Sequence, residues 1–159
     1  MKRIPSFNID HTRLLKGLYV SRTDKVANGY VTTFDVRMKT PNLESMSAEA
    51  MHTIEHLGAT FLRNNVNWAA KVIYWGPMGC HTGFYFIVIG LFRPINILYL
   101  MQSLFEFIAN YEGEIPGASA VECGNYQLHS LKEAKEEADR YLELLHGISA
   151  ENLEYPKPV

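Results

Sequence analysis

The chain has 159 residues, 47% of them hydrophobic and 20% charged, a balance that fits one globular domain and excludes a disordered or low-complexity polypeptide. A formal net charge of −2 leaves no basic surplus, which argues against a nucleic-acid partner, and two cysteines, Cys80 and Cys123, cannot make a disulfide scaffold. The opening MKRIPSFNIDHTR lacks the apolar stretch of a secretory signal, and the longest apolar run, Phe84 to Phe92, is too short to span a bilayer; no membrane segment and a reducing cytoplasm are expected.

Residues 18–39 alternate polar and apolar side chains around Asn28-Gly29, which predicts a β-hairpin with Phe34, Val36 and Met38 on one face. From Ser47 to about Val66 the spacing becomes helical, with Met51, Ile54, Gly58, Phe61 and Leu62 on one side. Two further strands, Val72 to Trp75 and Thr82 to Phe92, flank a predicted Gly76-Pro77-Met78-Gly79 turn. Pro94 suits the first turn of a second helix with Ile95, Leu98, Met101, Phe105 and Ile108 inward. A third helix runs from Leu131 to His146, with Ser130 and Glu133 as its capping box and Gly147 as its stop. The last residues, about 150–159, read as a frayed end. The expected fold is α+β: a mainly antiparallel sheet with three principal helices packed on it, in a single domain, 1–159.

His52 and His56 lie four residues apart on the first helix, so both imidazoles project from one face one turn apart, a spacing that chelates a transition metal. Rotation by about 100° per residue puts His52, Glu55, His56, Ala59 and Arg63 in one polar stripe, opposite the apolar face. The bland alternative is a solvated helix face. A third ligand must come from elsewhere. Cys123, in the loop Glu122-Cys123-Gly124-Asn125, is the candidate thiolate, against the alternative of a small buried hydrophobe. A His₂Cys set would leave a coordination position open, which marks a catalytic site. Cys80 sits at a glycine-rich strand junction whose free backbone amides favour thiolate, or it is an inert packed residue.

In order along the chain, Ser6-Phe7 with Asp10-His11, Phe34-Asp35-Val36-Arg37 before Pro41-Asn42, His52-Thr53-Ile54-Glu55-His56 with Arg63, Pro77-Met78-Gly79-Cys80 with Thr82-Gly83, and Cys123-Gly124 resemble the S-ribosylhomocysteine lyase (LuxS, autoinducer-2 synthase) family. The resemblance implies that His52, His56 and Cys123 bind Fe²⁺, replaceable by Zn²⁺ or Co²⁺, one ion per subunit. It implies that Glu55 and Cys80 move protons, that Arg37 helps hold the Cys80 thiolate, and that Ser6, His11 and Arg63 line the substrate pocket. It further implies a homodimer with sites at the interface, where the N-terminal segment of one subunit reaches the metal pocket of the other. The implied reaction cleaves S-ribosylhomocysteine to homocysteine and 4,5-dihydroxy-2,3-pentanedione, the autoinducer-2 precursor, by carbonyl migration and β-elimination. Tyr74 and Gly76 stand where the family has an aspartate and a serine, and His81 replaces its more usual glutamine or arginine.

Two other readings use the same residues. An inverted-motif zinc metallopeptidase also carries HxxEH, with Glu133 as a distant third ligand, but leaves Cys80 and Cys123 without roles. A non-catalytic metal- or thiol-sensing dimer would hold the ion without turnover. His146 suits the dipole at its helix end, His129 reads as a surface residue ahead of Ser130, and His81 stands between a turn residue and a substrate contact.

Overall fold

The computed structural model describes residues 4–157. In chain order the elements are β1 (Gly17–Val26), β2 (Gly29–Arg37), α1 (Ala48–Asn64), β3 (Val72–Pro77), β4 (Gly83–Ile89), α2 (Pro94–Ala109) and α3 (Leu131–His146). Short 3-10 turns cover Pro5–Asn8, Ala69–Lys71 and Ala150–Asn152. The strands form one antiparallel sheet in the order β1-β2-β4-β3, and with the three helices this gives the α+β class that the sequence predicts.

Strand alternation sorts the sheet's side chains. Phe34 and Val36 pair with Phe86 and Phe84, and all four are buried in a core shared with Leu18, Trp75 and the inner faces of the helices. The intervening residues Tyr19, Asp35, Arg37 and Tyr85 therefore lie on the opposite face. The α1 helix packs on β3 through a close approach at Gly58, where any Cβ would overlap the Trp75 indole. Trp75 Nε1 donates to Ile54 O at 3.3 Å and its ring stacks on Phe84.

Several expectations shift. Gly76 and Pro77 belong to β3, which lies at the sheet's edge, where a proline without an N–H does not interrupt the ladder. The reversal falls after them, and His81 takes a positive φ of 61° within it. Ile95 is exposed: it sits about 120° round the helix from buried Met101, whereas buried Ile97 sits about 40° away. The Ser130–Glu133 box is half formed. Ser130 Oγ accepts from Glu133 N at 3.3 Å, but the Glu133 carboxylate accepts from the hydroxyl of Ser47, the N-cap of α1, and so clips the starts of α1 and α3 together. The expected frayed end is held instead. Tyr155 stacks on Tyr19 with ring centroids 4.8 Å apart, and its hydroxyl donates to Asp35 Oδ2 at 2.8 Å.

Candidate functional site

The polar stripe of α1 meets the 110–130 loop. His52 Nδ1 faces Leu128 O at 2.8 Å and His56 Nδ1 faces Pro116 O at 2.7 Å. A carbonyl can only accept, so both rings carry the proton on Nδ1 and leave a lone pair on Nε2. Those two nitrogens lie 3.4 and 3.8 Å from Cys123 Sγ. For a tetrahedral ion with metal–sulfur and metal–nitrogen bonds of about 2.3 and 2.0–2.1 Å, the S···N separation is about 3.5 Å, so this donor set fits a divalent transition metal. The His52 and His56 rings are nearly perpendicular, at 88°.

His129, expected on the surface, is in this cluster, and its donor atom falls within 4.8 Å of the other three. Thr53 Oγ1 gives its proton to Glu49 O and so accepts from His129 Nδ1 at 3.1 Å, which leaves His129 Nε2 with a lone pair, buried and, among the described residues, without a partner. Its ring lies on that of His52, 4.0 Å between centroids and 16° between planes. Two imidazoles that share an ion must each hold it in their own ring plane, and faces stacked this closely to parallel cannot. In this arrangement His129 lies against His52 as the fourth member of the cluster, with its ring not turned to share an ion with that of His52. Burial and the neighbouring His52 and His56 lower its pKa to about 4. Its place was hidden because the loop's return onto α1 is a tertiary contact; the signal that could have found it is its adjacency to Leu128, the carbonyl that orients His52.

The second cluster lies on the sheet face opposite the helices. Arg37 Nη2 donates to Asp35 Oδ2 at 2.6 Å, while Nη1 donates to Thr82 Oγ1 at 2.5 Å and reaches Cys80 Sγ at 3.9 Å. Thr82 Oγ1 is 3.0 Å from the same sulfur, and having accepted from Arg37 it can donate its own proton there. Burial opposes the Arg37 charge, but Asp35, Cys80 and Tyr155 more than offset it and raise its pKa above the ordinary value. Cys80 is exposed at the β3–β4 reversal, beside a cleft of about 410 Å³ lined also by His11, Arg37, Glu44 and Thr82. His81 serves the turn: its backbone N–H reaches Met78 O and its Nδ1 lies 3.2 Å from Met46 O, fixing the reversal to the segment before α1. Sequence reasoning gave no role to Asp35, Thr82 or Tyr155.

Glu55 is half-buried on α1 beside His56, and among the described residues its carboxylate makes no hydrogen bond. Arg63 is not gathered into the cleft; its Nη2 donates to Ile73 O at 3.2 Å. Ser6 falls in the turn Pro5–Asn8, but its side chain lies outside the described residues. Tyr74 and Gly76 form one local change, because the Tyr74 phenol covers Gly76 where a side chain would collide. Glu133 is engaged by Ser47 and lies outside the His52–His56 cluster, so it is not placed as the third ligand that a metallopeptidase would need.

The family profile described as S-Ribosylhomocysteinase (LuxS) matches residues 4–152. The S-ribosylhomocysteine lyase of Desulfotalea psychrophila is 54% identical over 158 residues, covering 98% of this chain and 99% of the relative. That of Phocaeicola vulgatus is also 54% identical, with 98% of each chain covered, and that of Borreliella afzelii is 52% identical, covering 98% of this chain and 100% of its own.

Proposed function

The chain belongs to the S-ribosylhomocysteinase (LuxS) family, and from its activity as an S-ribosylhomocysteine lyase we propose that the whole chain is one catalytic domain whose two clusters take different parts of one reaction. That reaction releases homocysteine and 4,5-dihydroxy-2,3-pentanedione without net redox change. The sulfur at C5 is not β to an acidic proton while the carbonyl is at C1, so the carbonyl must move along the chain to C3 before β-elimination.

His52, His56 and Cys123 would hold the ion; the family resemblance makes it Fe²⁺ or its substitutes Zn²⁺ and Co²⁺, one per subunit. When bound there, it supplies Lewis-acid polarisation of a sugar oxygen. Glu55, next to His56, takes and returns protons at its carboxylate, including the one removed in the final elimination. Cys80 Sγ is the second proton carrier, kept as thiolate by Arg37 and Thr82. His11, Ser6 and Arg63 bind substrate.

The catalytic unit is a homodimer. The cleft at His11, Arg37 and Cys80 shares no lining residue with the His52–His56–Cys123 cluster, so a second copy is the natural way to bring the two halves to one substrate. Exposed Ile4 and Phe7 in the N-terminal segment suit contact with that copy. The enzyme works in the cytoplasm without nucleic acid or membrane; among the described residues no helix is long and apolar enough to cross one.

The observation that carries this reading is the contrast between the two thiols, one within 3.8 Å of two imidazole nitrogens and the other under a guanidinium. Homocysteine release from S-ribosylhomocysteine, read with a thiol reagent, tests it. Cys80→Ala is expected to keep its metal and lose turnover by at least about a hundredfold, whereas Cys123→Ala loses the metal. Equal metal loss in both would contradict the division.

A further inference from the structure

Asp35 and Arg37 are among the few charged residues in the interior, 1% and 4% exposed. Their contact is one-sided. Among the described residues Asp35 Oδ1 and Arg37 Nε are both buried without partners, so the guanidinium lacks the two-pronged grip that would fix its plane. Its direction depends on Thr82 at Nη1 and on Asp35 Oδ2 at Nη2. Asp35 Oδ2 accepts one further hydrogen bond, from the hydroxyl of Tyr155 at 2.8 Å. Burial and the Asp35 charge keep that phenol protonated, so it acts as a donor. Tyr155 is in turn held by stacking on Tyr19. A continuous path thus runs from the C-terminal segment to the exposed thiol: Tyr155 to Asp35, Asp35 to Arg37, Arg37 to Cys80.

We propose that Tyr155 is a positioning residue for Cys80, its hydroxyl fixing the Asp35 carboxylate so that Arg37 stays turned toward the sulfur. This rests on the reading of Cys80 as a proton-carrying thiolate. Without the hydroxyl, Asp35 loses a buried donor and turns to recover it, and the guanidinium, which Asp35 grips at Nη2 alone, pivots about its bond to Thr82. The thiolate then loses part of its counter-charge. The other charged or titratable groups that face Cys80 are His11 from the N-terminal segment, Glu44 from the segment before α1, the adjacent His81 and Tyr85 of β4. The first three are anchored by Ile9 O, Lys16 and Met46 O respectively, Tyr85 is fixed by its place in β4 opposite Asp35, and none of the four bonds to Tyr155.

The test is the alkylation rate of Cys80 by iodoacetamide against pH in the metal-loaded full chain, followed by peptide mass. Tyr155→Phe keeps the ring on Tyr19 and removes only the hydroxyl. It is expected to slow alkylation near neutral pH by about three- to tenfold and to move the profile's midpoint up by about half to one unit, with kcat falling alongside and metal content unchanged. A Tyr155→Phe profile identical to that of the unmodified chain overturns the proposal. So does a pair in which Tyr155→Leu is slowed and Tyr155→Phe is not, because the tail would then act by packing alone. Turnover that survives Cys80→Ala would remove the underlying catalytic reading, while the alkylation comparison would still report whether Tyr155 acts on the thiol.

Discussion

Cys80 and Cys123 are chemically the same residue given different work by their neighbours: two imidazole lone pairs beside one, a cation and a hydroxyl donor beside the other. Substitution at His129 separates a supporting ring from a ligand. His129→Ala is expected to weaken metal affinity by about ten- to a hundredfold in chelator competition while a bound ion is still recovered. Loss as complete as in His52→Ala would make His129 a ligand. The HxxEH spacing made His52, Glu55 and His56 legible in the sequence, since helical geometry alone brings i and i+4 together. His129 and Tyr155 were not legible, because each reaches its partner through the fold and neither carries a local pattern: one in the loop that returns onto α1, the other beyond the last helix.

Each helix and strand of the α+β fold could be read from periodicity and turn signals; Ile95 was misplaced by helical phase, whereas the capping box of α3 fails where a tertiary contact overrides it. Glu133 has the spacing of a capping box, yet its carboxylate goes to Ser47 because the starts of α1 and α3 are neighbours. Gly58 shows the same logic in reverse. In an isolated helix, Gly58→Ala would gain about 1 kcal/mol, but here the new methyl meets Trp75, buried and stacked on Phe84, which has no room to retreat. Overpacking costs about 1–3 kcal/mol, so Gly58→Ala is expected to lower the urea midpoint, and because α1 carries His52 and His56 it should also loosen metal binding. A raised midpoint would mean that the α1–β3 contact is softer than its geometry.

At the scale of the whole molecule, the sheet keeps two chemistries apart. His52 and His56 project from α1 toward the loop that carries Cys123, and the Arg37–Cys80 pair lies on the sheet face opposite the helices. Dimerisation cannot be read from periodicity in a single chain; here it enters through the separation of the two clusters and the family resemblance. Mixing two inactive variants tests that claim directly. Cys80→Ala retains an intact metal cluster and Cys123→Ala an intact thiolate cluster. If each site takes one cluster from each subunit, random reassociation makes half the dimers mixed, each with one complete site, and homocysteine release returns to about a quarter of the unmodified rate. Activity that stays at zero after subunit exchange has been verified would contradict a site shared between two chains.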